Sequence, residues 1–510
     1  MFSLISLNLL PEDLISFALL TPLIGILGIL LFRKFKNLRE LVTLFSSSFL
    51  FVLVLNIYDL VNSGEFPSLV LFEIFPSLRI GFTVEPLGII FGLVASGLWI
   101  INSVYSIGYM RANSESNQTR FYICFALAIF SALGIAFSSN LLTFFLFYEI
   151  LTICTYPLVT HSGSSVAKTG GRIYLTFLLG TSICFLLLGI ISVWDIAGTL
   201  DFTLGGVIPS NYGSLEISIL LVLFVFGIGK AALMPFHFWL PAAMVAPTPV
   251  SALLHAVAVV KAGVFGIIKV ILYIFGTETL SVTFGANLIS FLACSSIVIA
   301  SVVALKADNL KKRLAYSTVS QLSYVILAIS ILNPLAVVAA VFHLVAHAFG
   351  KITLFFAAGS LYTTLHKTEV SELNGVGKQM PITMIAFSIG VLTMIGLPFT
   401  GGFISKWYLL SGAIIEKYWF ILIVILISTL LNVAYFIPII YRAFFLSPIT
   451  EEVLSEELDS KQSYDHIRYK FNFEAPASIL VALITTSMCS IFLFLFPETI
   501  VKMALQLNGA

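Results

Sequence analysis

One predicted helix carries three titratable side chains at helical spacing. The segment HLVAHAFGK places His343, His347 and Lys351 four residues apart in succession, so all three lie along one face of a helix. Imidazole and amine groups take up and release protons, and three of them inside an apolar segment are expensive to keep for packing alone. The spacing therefore indicates proton transfer along this helix rather than an isolated core histidine.

A carboxylate and a lysine in two other apolar segments form a natural pair. Glu149 is the most deeply placed acidic residue, and Lys230 is the partner we expect for it, because a lone buried charge tends to become neutral. If Glu149 moved away, Lys230 would release its proton to the next group inward. The alternative interpretation is a static ion pair that fixes the register of two helices.

The eighth apolar segment contains three further basic residues. His255 lies near one end of it, Lys261 near its middle and Lys269 toward the outer end. His255 and Lys261 are six residues apart and do not share a helix face, so transfer between them would need water or a local break. We expect Lys261 to be the main proton carrier of this segment and Lys269 to extend toward the membrane surface.

Two apolar segments are interrupted by proline and glycine beside a lysine. A proline inside a helix removes a backbone donor, so an interruption in mid-membrane frees backbone groups for water or ions. The alternative is a simple packing kink. The first segment, GIGKAALMPFHFWLP, has its predicted break at Pro235, after Lys230. The second, GLPFTGGFISKWYLL, has predicted breaks at Pro398, Gly401 and Gly402, ahead of the candidate proton carrier Lys406.

Helices in a membrane must position these side chains. The 510 residues are 59% hydrophobic and only 10% charged, which excludes a water-soluble globular protein. Fourteen apolar runs between Leu14 and about Phe496 are long enough to cross the membrane as helices and lack the alternating polarity of barrel strands. We therefore predict an all-α integral membrane protein with about 14 transmembrane helices, the first of which is not a cleaved signal.

The two interrupted segments occupy corresponding places in two sets of five helices. Because the sets start on opposite sides of the membrane, they would form two inverted repeats, each containing a broken helix. The expected parts are an N-terminal three-helix segment (1–120), a first five-helix repeat (121–278), a second five-helix repeat (279–445), and a cytoplasmic loop with a C-terminal transmembrane helix (446–510).

Charge placement predicts the orientation. Most Lys and Arg residues outside the apolar runs follow odd-numbered spans, which places those loops in the cytoplasm and both termini on the outer side of the plasma membrane. The acidic stretch 446–473 is either a solvated loop or a docking site for a partner protein. The five cysteines lie in apolar runs without metal-ligand spacing, so we predict packing roles for them and no metal or cofactor.

Several segments together resemble a known family. They are FFLFYEILTICTYPLVTH around Glu149, GKAALMPFHFWLPAAMVAPTPVSALLH around Lys230, DNLKKRLAYSTVSQLSY, HLVAHAFGK and GLPFTGGFISKW. They are similar to the antiporter-like subunits of respiratory complex I, of Mrp-type cation/proton antiporters and of membrane-bound hydrogenases. The resemblance implies a switching pair of Glu149 and Lys230, a central axis of Lys261 with the histidine face, and a terminal group at Lys406.

Lys406 and the segment ending at His161 resemble the D-type Mrp subunit, because chain M of complex I usually has a glutamate at the terminal position. The sequence therefore favours a proton-translocating subunit of a multi-subunit Na⁺/proton antiporter, with other membrane subunits, H⁺, Na⁺ and the bilayer as partners and no nucleic acid. The alternative is the proton-pumping subunit of a redox complex, a hydrogenase or an NADH:quinone oxidoreductase. In both cases the chain would have no catalytic site of its own. A passive scaffold would not need the row of buried charges.

Overall fold

Long helices form most of the protein in the computed structural model, which describes residues 9–75, 78–209, 212–447 and 474–508. Within these ranges, eleven helical segments are long and apolar enough to cross a membrane, and shorter apolar helices accompany them. The prediction of an all-α membrane protein is confirmed. The acidic stretch 446–473 lies almost entirely outside the described residues.

The helices are numbered in chain order. They are α1 (Pro11–Leu31), α2 (Lys36–Asn62), α3 (Pro86–Ala112), α4 (Gln118–Ala136), α5 (Leu141–Val159), α6 (Ser165–Thr181), α7 (Leu187–Ala197), α8 (Ser214–Gly227), α9 (Trp239–Ala242), α10 (Thr248–Ala252), α11 (Val259–Val270), α12 (Thr277–Ser281), α13 (Phe284–Lys306), α14 (Leu310–Ser330), α15 (Pro334–Leu365), α16 (Val376–Gln379), α17 (Pro381–Ile395), α18 (Gly401–Ile415), α19 (Trp419–Phe445), α20 (Ala477–Leu495) and α21 (Glu498–Leu505).

Single π-helical turns join some helices into longer spans. One such turn, Ser182–Leu186, connects α6 with α7, and another, Leu253–Val257, connects α10 with α11. A third, Ile271–Phe275, extends α11. Extra residues of this kind inside a helix are frequent at functional sites, because they rotate the side chains that follow.

Two spans are interrupted in the structure. The first is non-helical or tightly wound from the end of α8 to the start of α9, and the second between α17 and α18. When each interrupted pair is counted as one span, the described helices make fourteen spans. The division into inverted repeats stays a prediction.

A two-stranded hairpin was not predicted from the sequence. Strand β1 (Ser68–Phe75) pairs antiparallel with β2 (Leu78–Thr83) between α2 and α3. Its Val, Ile and Phe residues favour extended backbone. The hairpin lies outside the helical core and carries none of the candidate residues.

Connections that follow odd-numbered spans meet at one end of the bundle. A cavity of about 330 Å³ at this end is lined by residues from five such connections, including Glu115, Ser162, Pro247, Asn309 and Lys367. The loops that the charge pattern assigned to one side therefore share one end of the molecule. Which side of the membrane this end faces stays a prediction.

Candidate functional site

Lys230 lies inside the first break. Helix α8 ends at Gly227, and Lys230 follows in the 3₁₀ turn Gly229–Ala231. Its buried Nζ donates hydrogen bonds to the carbonyl oxygen of Tyr148 at 2.8 Å and to Oγ1 of Thr152 at 2.6 Å, and it lies over the Tyr148 ring. The sequence prediction that the break follows Lys230 is wrong, because the helix ends before the lysine and Pro235 lies well within the break.

Glu149 does not contact Lys230 directly. Among the described residues, neither side chain takes part in an ion pair within 4.0 Å. Glu149 is half-buried, and its Oε1 is buried without a hydrogen-bond partner. The Lys230 amine instead points at Tyr148 and Thr152, which lie one turn apart on α5, whereas Glu149 is rotated by about 100° from Tyr148.

Helix α11 packs closely against the first break. A Cβ on Gly263 would lie 2.2 Å from the backbone nitrogen of Ala231 and 2.3 Å from the carbonyl carbon of Lys230. No side chain fits there. Glycine at this position therefore lets the helix that carries Lys261 touch the backbone at Lys230.

Lys261 and His347 meet at the centre of the bundle. Nζ of Lys261 lies 2.7 Å from Nδ1 of His347, and both side chains are fully buried. His347 and His343 follow each other along α15 with their ring centroids 6.2 Å apart. The face of α15 that carries the two histidines is thus in contact with Lys261, the proton carrier that we predicted for the eighth span.

Lys351 and His255 both reach helix α14. Lys351 Nζ donates to the carbonyl oxygen of Leu314 at 3.1 Å and to Oγ of Ser317 at 2.8 Å. His255 lies in the π turn that joins α10 to α11. Its Nδ1 is 3.1 Å from Oγ1 of Thr318, which follows Ser317 on α14. A local irregularity therefore separates His255 from Lys261, and α14 brings the His255 side chain close to that of Lys351.

Lys406 lies at the second break. Its Nζ donates to the carbonyl oxygen of Ile395, the last residue of α17, at 2.7 Å, and to Oγ1 of Thr429 at 3.2 Å. Oγ of the preceding residue, Ser405, lies 2.8 Å from Nδ1 of His343. The amine thus occupies the carbonyl end of the interrupted helix, where a positive charge is favoured.

The second break is shorter than predicted. Pro398 lies within it, but Gly401 and Gly402 are the first two residues of α18. Their role is close packing, since a Cβ on Gly402 would lie 1.8 Å from the carbonyl oxygen of Thr393. Small residues at this helix start let α18 fold back against α17.

Two buried charges have partners that the sequence did not predict. Lys269 is covered by protein, because it forms an ion pair with Glu85, the residue before α3, and a 3.1 Å hydrogen bond to the carbonyl oxygen of Ser138. Glu149 is not the only buried carboxylate, because Glu40 is only 3% exposed and pairs with Arg111. Both acidic partners stand directly before an apolar run rather than inside one, so the sequence did not signal their burial.

The sequence analysis also did not identify the hydroxyl groups that form hydrogen bonds with the candidate lysines and histidines. Thr152, Ser317, Thr318, Ser405 and Thr429 each accept from or lie against a candidate proton carrier. The stretch LAYSTVSQLSY at the start of α14 carried a signal, because so many hydroxyls are unusual in a buried span. Hydroxyls bind an ammonium without neutralising it and can pass on a proton.

A model of the NADH:quinone oxidoreductase/Mrp antiporter transmembrane family matches residues 138–432, which include every candidate proton carrier. The chain belongs to this family. Within it, NADH-quinone oxidoreductase subunit N of Desulforudis audaxviator is 32% identical over 438 residues, which cover 84% of this chain and 85% of that protein. A probable K(+)/H(+) antiporter protein of Rhizobium meliloti is 31% identical over 79% of this chain but only 40% of its own length.

Solved structures share the fold of this family member. A chain of the archaeal membrane-bound sulfane sulfur reductase superimposes with a TM-score of 0.82 at 22% identity, covering 97% of this chain and 98% of that one. A chain of the Mrp complex from Dietzia sp. DQ12-45-1b gives 0.84 at 18% identity, covering 98% and 97%. The protein is therefore an antiporter-like, multi-pass membrane subunit of the complex I/Mrp family, and its relatives work as subunits of multi-subunit membrane complexes.

Proposed function

We propose that this chain carries protons through the membrane along its buried row of ionisable side chains. The observation that supports this most directly is the hydrogen bond between Lys261 and His347, with three more buried lysines in polar sites on either side. A buried lysine costs several kcal/mol unless it is paired or hydrated, so packing alone does not explain why these four are buried. The groups we assign to proton transfer are Glu149, Lys230, His255, Lys261, His343, His347, Lys351 and Lys406.

The first candidate for the energy source is cation exchange. In this version the chain is the D-type subunit of an Mrp antiporter in the plasma membrane, with both termini outside. The lysine at position 406 and the fold shared with the Mrp complex support it. Because no cluster of buried carboxylates stands out in the sequence as an oxygen-lined site, Na⁺ would cross elsewhere in the complex.

The second candidate is a redox-driven complex. The similarity to NADH-quinone oxidoreductase subunit N over 85% of that protein supports it, as does the fold shared with an archaeal respiratory complex. In this version the chain converts the energy of a redox reaction in partner subunits into proton movement. The two candidates assign the same role to the buried row and differ in what drives it.

Inverted membrane vesicles containing the whole complex would test both. We expect Na⁺ to collapse a respiration-generated pH gradient if the chain belongs to an antiporter, and Lys230→Ala to abolish the collapse. If the complex is redox-driven, proton movement requires an electron donor and acceptor and is again lost in Lys230→Ala. Lys306→Ala, at an exposed position at the end of α13, is the matched control. Normal proton movement in Lys230→Ala would contradict the proposed function.

A further inference from the structure

The aromatic residue next to Glu149 provides most of the binding site of the Lys230 ammonium. Lys230 Nζ lies 3.1 Å from the centroid of the Tyr148 ring, 2.8 Å from the Tyr148 carbonyl oxygen and 2.6 Å from Oγ1 of Thr152. An ammonium has three N–H donors, and one ring face and two oxygen atoms can receive all three. Helix α5 therefore offers the charged amine a complete site that does not include the Glu149 carboxylate.

The Tyr148 hydroxyl also binds the backbone of the same lysine. It accepts a 3.0 Å hydrogen bond from the backbone N–H of Lys230, and Nε1 of Trp239 donates at 3.0 Å to the carbonyl oxygen of Gly229. These two backbone groups belong to one peptide unit, which is thus bound from both sides. Tyr148 and Trp239 are fully buried. One tyrosine therefore contacts the side chain and the backbone of Lys230 at once.

Tyr148 and Glu149 offer Lys230 two different sites on one helix. Neighbouring residues of a helix point about 100° apart, and in the structure the tyrosine faces the lysine. To pair with Glu149, the amine must give up the ring or one of the two oxygen atoms. A ring face attracts the ammonium and not the neutral amine, because the attraction acts on the charge. The tyrosine therefore stabilises the protonated lysine where the ion pair is absent.

We propose that Tyr148 is a positioning residue that competes with Glu149 for the Lys230 ammonium. This inference rests on the proposed function. When Lys230 leaves Glu149, the ring and the two oxygen atoms on α5 replace the carboxylate, so the proton stays on Nζ until the next carrier takes it. Without the ring, Glu149 is the best remaining partner of the charged amine. The amine then returns to it, and proton transport slows.

A ring that only fills space makes a different prediction. Fluorine atoms withdraw electrons from the face of an aromatic ring and weaken its attraction for a cation, whereas they change its volume little. A series of phenylalanines with zero, one, two or three ring fluorines in place of Tyr148 therefore varies the attraction for Lys230 at nearly constant packing. All members of the series lack the hydroxyl, so its loss is the same throughout.

In vesicles with the whole complex, we expect proton transport to slow about twofold with each added fluorine, and about eightfold with three, relative to Tyr148→Phe. The same series at Phe147 is the control. This residue packs against Phe82 and Phe130, and among the described residues no lysine or arginine lies over its ring. Its rates should not depend on fluorine. Equal rates across the series at Tyr148, or rates that rise with fluorine, would overturn the proposal.

A distance measurement shows where the amine goes. In solid-state NMR of the complex with ¹⁵N-lysine and ¹³C-glutamate, Tyr148→Leu should produce a coupling between Nζ of Lys230 and Cδ of Glu149 that the native complex lacks. Adding Glu149→Gln should remove it. No coupling in Tyr148→Leu would contradict the competition. If Lys230→Ala stops transport while fluorination has no effect, only this inference fails; if Lys230→Ala has no effect, the proposed function fails.

Discussion

The side chains of Lys261 and His347 share one short hydrogen bond between an amine and an imidazole. Two positive charges 2.7 Å apart in a buried site repel strongly, so at most one of the two groups holds the extra proton at a time. The proton can move from one nitrogen to the other with little movement of heavier atoms. This contact joins the eighth span to the eleventh and is the centre of the proposed row.

Substitution of Lys261 tests whether a transferable proton or only a positive charge is needed. We expect Lys261→Gln to lower proton transport by at least about tenfold, because glutamine does not titrate. Lys261→Arg should fail as well, since the guanidinium keeps its proton even when buried. Transport rates in vesicles, with Lys306→Gln as the exposed control, measure both. Full activity of the arginine variant would show that the charge alone suffices.

The packing at the second break predicts a strong effect of one methyl group. In Gly402→Ala the new Cβ would meet the carbonyl oxygen of Thr393, so α18 must shift and carry Lys406 away from Ile395. We expect the rate of proton transport to fall several-fold and the free energy of unfolding to drop by about 1–3 kcal/mol. Gly180→Ala is the matched control, because its Cβ would meet nothing within 4 Å. Equal behaviour of the two variants would contradict the role of this contact.

The ion pair of Lys269 with Glu85 predicts a large effect on stability. Glu85→Gln leaves a buried ammonium unpaired and should destabilise the folded protein by about 3–5 kcal/mol. Replacing both residues, as in Glu85→Gln with Lys269→Met, should recover much of the loss. Thermal unfolding of the purified protein measures each change.

The pair of Arg79 and Asp201 provides the control, because its side chains are 43% and 35% exposed at an N–O distance of 3.1 Å. Arg79→Gln should cost less than about 1 kcal/mol. A loss in Glu85→Gln as small as this would mean that Lys269 finds another partner or loses its charge at no cost.

His161, in the turn after α5, predicts a pH dependence of stability. Burial, and then the positive charge of Arg120, lower the pKa of His161 below its ordinary value of 6.5. The unfolded chain therefore takes up a proton first as the pH falls, so the folded protein loses stability below about pH 6.5. We expect His161→Gln to lose less thermal stability than the native protein between about pH 7.5 and pH 5.5.

His366 at the end of α15 is exposed and serves as the control for this titration. His366→Asn keeps a residue that tolerates the left-handed backbone found there, and its thermal stability over the same pH range shows what the loss of an exposed histidine alone does. An identical pH dependence in His161→Gln and the native protein would show that His161 does not contribute.

The sequence was sufficient to predict the helical membrane fold and the burial of most of the ionisable side chains that we assign to proton transfer. A long hydrophobic run predicts a membrane-spanning helix, because the bilayer core has no water to bond the backbone N–H and C=O groups and a helix pairs them internally. The helical spacing of His343, His347 and Lys351 placed them correctly on one face. These features depend on local sequence alone.

Partners across the bundle were not predictable in the same way. The sequence paired Lys230 with Glu149 by charge, whereas the structure directs the lysine to a backbone carbonyl and a threonine. It left Lys269 unpaired, because Glu85 lies in a connection far away in the chain. Such contacts depend on how helices pack, and one sequence contains no direct record of that packing.

The contact at Gly263 has a mechanical consequence. Where backbone touches backbone with no side chain between, neither segment can advance without displacing the other. A small rotation of the turn around Lys230 would therefore displace the helix that holds Lys261, and this displacement does not depend on any charge between them. The two halves of the row would then be coupled by backbone contact as well as by electrostatics.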